Sequence, residues 1–202
     1  MTSFRTPPVV VDHDSQWITV DLRGDLREWA RGKAREVGEL AVAGGLRVSA
    51  KQVARVLEDA GAVARRSGDA AMALLLYPGV EHGLRGLVRF LLVDTGGRDE
   101  ADAIEDMVGD LVRGVTDGEP PEVTGFASPA GAGRRVRQRY SHGEGPERPV
   151  WEQVFYAWAF PDYSAGLVMT TVFTDLLEAG RWLPALDKLA AGVELAPGEA
   201  PR

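Results

Sequence analysis

The spacing of apolar residues changes several times along the chain, and each change marks an element. Trp17, Thr19 and Asp21 alternate with Ile18, Val20 and Leu22, which is the period of a strand over 16–22. From Leu26 the spacing becomes three and four. Leu26, Trp29, Ala30, Lys33, Val37, Leu40 and Ala41 form one stripe, which predicts a helix over 25–43 stopped by Gly44 and Gly45. Ser49 reads as the N-cap of a second helix, with the stripe Val53, Val56, Leu57, Ala60, Val63 and Ala64 and an end at Gly68. Two helices joined by a short glycine-containing loop predict a helical hairpin over 25–67.

Ala71 to Tyr77 is apolar throughout, which predicts a strand buried on both faces. Pro78-Gly79 turns the chain, and Leu84 to Val93 returns beside that strand as a hairpin. Thr95-Gly96-Gly97 leads to a third helix, whose first turn holds Asp99, Glu100 and Asp102, where the helix dipole favours negative charge. Its stripe is Ala101, Ile104, Val108, Leu111 and Val115, and residues 118–121 end it. Four strand-like segments follow, 122–127, 134–140, 150–160 and 166–174, and the short loops between them predict an antiparallel meander. A last helix covers 179–192, with Pro184 expected in or near its first turn, since a proline deeper in loses a hydrogen bond. Residues 1–15 read as an irregular arm and 196–202 as a disordered tail. Strands grouped together rather than alternating with helices make the fold class α+β. The expectation is a single domain over 1–202, whose segment 70–195 is a mainly antiparallel sheet of about six or seven strands with helices packed on it.

Composition narrows the function classes. The 202 residues carry 30 acidic and 23 basic side chains, a formal charge of −7, which argues against nucleic acid and anionic membrane as partners. Without cysteine there is no disulfide, thiol nucleophile or cysteine-based zinc site. Neither a signal peptide nor a membrane span is legible, so a cytoplasmic location is expected.

The order of elements in the second half carries a resemblance. A hairpin (71–93) and a helix (99–116) precede EVTGFASPAGAGRRVRQRY, then two long strands ending in VMTTVFT, and the closing helix WLPALDKLAAGVEL. Over residues 70–195 this order resembles the Mog1/PsbP-like fold, particularly the actinobacterial LpqN-type proteins. The resemblance implies a non-enzymatic binding protein. The chain departs from the lipoprotein members in lacking a lipobox cysteine, and it adds the N-terminal helical pair.

The polar candidates are few. Asp12-His13-Asp14 lies in an extended arm, where His13 points away from both carboxylates, so no metal site is expected. His82 and His142 sit in turns, outside any HExxH motif. Ser141 and Ser164 lack a nucleophile elbow, so no catalytic residue is assigned. The Gly96-Gly97 turn precedes an acidic helix start that repels phosphate, and no cofactor is expected. Arg135, Arg137 and Arg139 alternate along one strand and share a face. Such a row can bind phosphate or carboxylate, or it can pair across strands with Glu152.

The strand 150–160 is apolar on both faces. Glu152, Val154, Tyr156, Trp158 and Phe160 face one way, and Trp151, Gln153, Phe155, Ala157 and Ala159 the other. Either the chain's own helices cover both faces, with helices three and four on one and the N-terminal pair on the other, or part of a face is left for a partner. The leading expectation is a protein-binding or adaptor domain with a protein partner or a homodimer on the sheet face, using Arg135, Arg137, Arg139, Trp151, Tyr156, Trp158 and Met169. The alternative is a carrier of a small apolar ligand in a pocket between sheet and helices, lined by Phe155, Tyr156, Trp158 and Met169.

Overall fold

The computed structural model describes residues 5–66, 70–79, 81–113, 118–141 and 148–197. The chain divides into two compact units, Asp14–Phe90 and Leu91–Arg202 with Met1–His13. Its fold is α+β. Seven strands form a mainly antiparallel sheet and two more form a separate ribbon.

The unit Asp14–Phe90 holds strand β2 (Trp17–Thr19), helices α1 (Leu26–Ala43) and α2 (Ala50–Arg66), strand β3 (Ala70–Leu76) and most of β4 (Gly86–Asp94). Helix α1 starts where it does because the Asp25 carboxylate accepts the backbone N–H groups of Arg27 and Glu28 at 2.8 and 3.0 Å. Those bonds hold its carboxyl below the usual carboxylate range. Small residues set the packing of the hairpin. Ala30, Ala34 and Ala41 of α1 and Gly61 and Ala64 of α2 are buried. A Cβ on Gly61 would lie 2.8 Å from Leu26 Cδ2, so any larger residue would have to displace Leu26. Strand β2 pairs antiparallel with β3, Ile18 opposite Leu75. The core joins Ile18, Val37, Leu57 and Leu75, fed from both helices and both strands.

The second unit contains α3 (Glu100–Arg113), the strands β5 (Glu122–Ser128), β6 (Gly131–Ser141), β7 (Val150–Phe160) and β8 (Ala165–Phe173), and α4 (Leu176–Ala191). Strands β5 to β8 form the expected antiparallel meander. The strand order of the sheet is β2-β3-β4-β8-β7-β6-β5. No described helix is long and apolar enough to cross a membrane.

Three expectations are corrected. Val9–Val11, expected in an irregular arm, is strand β1. It pairs antiparallel with β9 (Val193–Leu195), which the sequence reading had placed at the end of the last helix and beyond it. The last helix starts three residues earlier than expected, because Asp175 caps it by accepting from Leu177 N–H at 2.8 Å. That early start puts Pro184 inside the helix, where both Pro184 and Gly180, whose carbonyl loses its helical donor, are exposed. Finally, α3 and α4 lie on opposite faces of the meander. Ala103, Ile104 and Met107 of α3 pack on Val136, Phe155, Ala157 and Val168. Asp187 of α4 bonds Tyr156 and Arg135, which point the other way. Of the tail expected over 196–202, residues 198–202 lie outside the described residues.

Candidate functional site

On the α4 face the arginine row is present and internally engaged. Arg139, Arg137 and Arg135 stand opposite Glu152, Val154 and Tyr156 in the β6–β7 register, which puts their side chains on one face. Arg137 donates through Nε and Nη2 to Glu152 Oε1 at 2.9 and 2.8 Å, and Arg139 Nε donates to Oε2 at 3.0 Å. Glu152 is 1% exposed. Its carboxylate is the anchor that lets two guanidiniums lie against the sheet, and it holds Arg139 above its ordinary value. Arg135 forks onto both oxygens of Asp187 at 3.1 and 3.0 Å. The Tyr156 hydroxyl donates to the same carboxylate at 2.7 Å. Glu122 stands 3.4 Å from Arg137 and 3.7 Å from Arg135, and Glu119 3.7 Å from Arg139. Four carboxylates meet three guanidiniums, so the row presents no surplus positive charge to a partner. The pairing of the row with Glu152 is the observed one.

The aromatic candidates are core. Trp158, Tyr156 and Met169 are 0%, 1% and 1% exposed, so they form neither an open interface nor the wall of a pocket. Trp158 Nε1 donates to Ser128 Oγ at 3.0 Å, and Phe126 sits edge-on to both Trp158 and Tyr156. The alternation of β7 made both faces apolar because α3 covers one and α4 the other. Trp151 lies on the α3 face of β7, half-buried, edge-on to Tyr140 with centroids 6.3 Å apart.

Burial, and then the bond to Asp187, push the Tyr156 hydroxyl above its ordinary value. The fold thus favours the neutral phenol. Its contribution is complete below the unfolded pKa near ~10 and is lost as pH rises above it. Urea midpoints measured at about pH 9, 10 and 11 are expected to fall more steeply for the wild type than for Tyr156→Phe.

A small hollow of about 110 Å³ lies among Glu119, Glu122, Arg137, Arg139 and Glu152, and a larger one lies on the other face. A groove of about 630 Å³ runs between α3 and the ends of β4 and β8. Its floor is Leu91, Val93 and Val168, and its helix wall is Ala103, Met107 and Leu111. Gly166 lets Met107 settle there, since a Cβ on Gly166 would lie 2.4 Å from Met107 Sδ. The rim is polar. Arg98 pairs with Asp106, Asp110 pairs with Arg113 at 3.0 Å, and Asp94 accepts Gly96 N–H at 2.8 Å. Thr95 also lines the groove. It is 8% exposed, and its Oγ1 has no hydrogen-bond partner among the described residues. The sequence signal for this groove was the apolar character of β4 and β8, and its location under α3 came only from the fold.

The remaining candidates do not line it, although the Ser164 carbonyl accepts the Thr95 backbone N–H at 3.1 Å. The Asp14 carboxylate accepts from Gln16 backbone and side chain at 3.2 and 3.0 Å. Among the described residues, no group of three or more histidine or carboxylate side chains is placed to hold a metal. His82 Nε2 lies 3.8 Å from Glu81, and His142 falls outside the described residues. Ser164, at φ 51°, has a buried hydroxyl without a partner among the described residues. No family model, curated protein or solved structure matches this chain.

Proposed function

We propose that the protein is a non-enzymatic binding protein that holds a small, largely apolar molecule in the groove beneath α3. The observation that carries this reading is a concavity of about 630 Å³ with an apolar floor of Leu91, Val93 and Val168. The volume lies within the range of small-molecule sites, where a few polar groups on an apolar wall fix orientation. The rim adds chemistry. Arg98 and Arg113 offset Asp106 and Asp110, and Asp94 adds one negative charge, so a neutral or amine-bearing molecule fits better than an anion. The resemblance of residues 70–195 to Mog1/PsbP-like proteins agrees with binding rather than catalysis. A sheet-face adaptor has less support, since α3 and α4 cover the faces where its partner would sit.

Fluorescence titration with N-phenyl-1-naphthylamine, a neutral apolar amine, tests the reading. Saturable binding is expected. Leu111→Trp, which places an indole in the groove from a half-buried position, is expected to weaken it at least about tenfold. Equal affinity for wild type and Leu111→Trp would move the site elsewhere.

A further inference from the structure

A second groove, of about 750 Å³, lies between α1 and α2 in the other unit. Its charged lining is basic. Arg27, Arg31 and Arg35 follow each other at four-residue spacing on α1, and Lys51 and Arg55 do so on α2. Glu58 and Asp59 are its carboxylates. The local charge is therefore +3 in a chain of −7, leaving −10 for the rest.

Among the described residues, Arg31, Arg35, Lys51 and Arg55 have no carboxylate within 4.0 Å, and Arg27 reaches Glu58 only at 3.9 Å. This is the reverse of the arginine row on β6, where every guanidinium is matched. All five cations are exposed, and the floor between them is Ala34, Ala50 and Ala54. Cations kept together on two packed helices repel one another unless an anion joins them. Their arrangement over a floor of small side chains describes a seat for a rod-like anion.

We infer that this groove docks an acidic helical segment of a partner protein. Residues four apart on a helix recur every ~6 Å, so carboxylates at four-residue spacing on the partner match the arginines of α1 in step. Guanidiniums take carboxylates in a bidentate fork, and alanines let a third helix approach closely. A long polyanion fits less well. The remaining −10 repels whatever extends beyond the groove, whereas a short segment feels the local field within a screening length of ~8–10 Å.

The test uses the full chain and a fluorescein-labelled alanine-based helical peptide with glutamate at every fourth position, read by anisotropy. Its controls are the glutamine version of the peptide and a single-stranded oligouridylate of equal charge. The glutamate peptide is expected to bind, and to weaken as salt rises from about 50 to about 500 mM. Arg31→Glu with Arg35→Glu, and separately Lys51→Glu with Arg55→Glu, are expected to weaken it about tenfold with the circular dichroism spectrum unchanged. Arg31→Gln with Arg35→Gln gives a milder loss and keeps the test decisive if a reversal unfolds the hairpin. Equal binding of the glutamine peptide, or unchanged affinity in these variants, overturns the inference. Tighter binding of the oligouridylate overturns it in favour of a nucleic-acid partner.

Discussion

Replacing Trp158 with alanine is expected to destabilise the unit that contains it by about 3–5 kcal/mol. The indole is 0% exposed, on the face of β7 that α4 covers. Removing it leaves a cavity between rigid neighbours. Phe126 sits edge-on at 5.1 Å, and Tyr156 stacks at 6.4 Å with ring planes 24° apart. The Ser128 hydroxyl loses the donor that reaches it at 3.0 Å. Trp158→Phe keeps most of the buried area and loses chiefly that bond, so it is expected to cost about 1–2 kcal/mol. Urea unfolding followed by far-ultraviolet circular dichroism separates the two, provided the m-value stays constant. A near-neutral Trp158→Ala would mean that this face is open after all and would restore the indole as a candidate contact. With the expected loss of stability, partner loss in Trp158→Ala reports unfolding rather than a lost contact.

The elements were legible where their pattern was long. The strand Val150–Phe160 was read to the residue, because eleven positions apolar on both faces exclude a solvated surface. Helices α1 and α2 followed from their stripes and from Ser49, which does cap α2, with Gln52 N–H 3.4 Å from its hydroxyl. Strands β1 and β9 have three residues each, too few to show a period, and each exists only because the other is opposite it. The faces of α3 and α4 could not be assigned either, since a two-sided strand is satisfied by a helix on either side. In α3 the expected stripe was slightly rotated. Ala103, Ile104 and Met107 are buried, whereas Ala101 is exposed and Val108 and Leu111 are half-buried.

The chemistry was legible unevenly. The row Arg135, Arg137 and Arg139 caught the eye because alternation is visible, and Glu152 was named beside it as a counter-charge. Asp187 was not, because it comes from α4, 52 residues further on. The row that remains unmatched was just as visible. Arg27, Arg31 and Arg35 repeat every fourth residue, and so do Lys51 and Arg55. What the sequence withheld was that α1 and α2 bring these two series to one groove. The apolar stripe of each helix was read for burial, and the charged series beside it was not.

Glu152→Ala is expected to cost about 3 kcal/mol, and the asymmetry with its partners is the informative part. The carboxylate is 1% exposed, whereas Arg137 and Arg139 are 21% and 41% exposed. Without it, both guanidiniums lose their shared anchor, and Arg137 keeps only Glu122 at 3.4 Å. Partial exposure lets Arg139 turn to water, which places the cost at the low end of the ~3–5 kcal/mol typical of a broken buried pair. Arg139→Ala should then be mild, about 1 kcal/mol or less, because Arg137 still forks onto Glu152 and the lost group was partly solvated. Arg137→Ala should be the harsher of the two, since it removes two of the three bonds that Glu152 accepts from these arginines. A network maintained only for packing predicts more: Glu152→Leu combined with Arg137→Met should recover most of the loss, as apolar replacement of a buried pair often does. Binding of the naphthylamine probe in the α3 groove, on the opposite face of the meander, should be unchanged in every variant that stays folded. Loss of that binding in folded Arg137→Ala would show instead that the ion network and the groove act as one site.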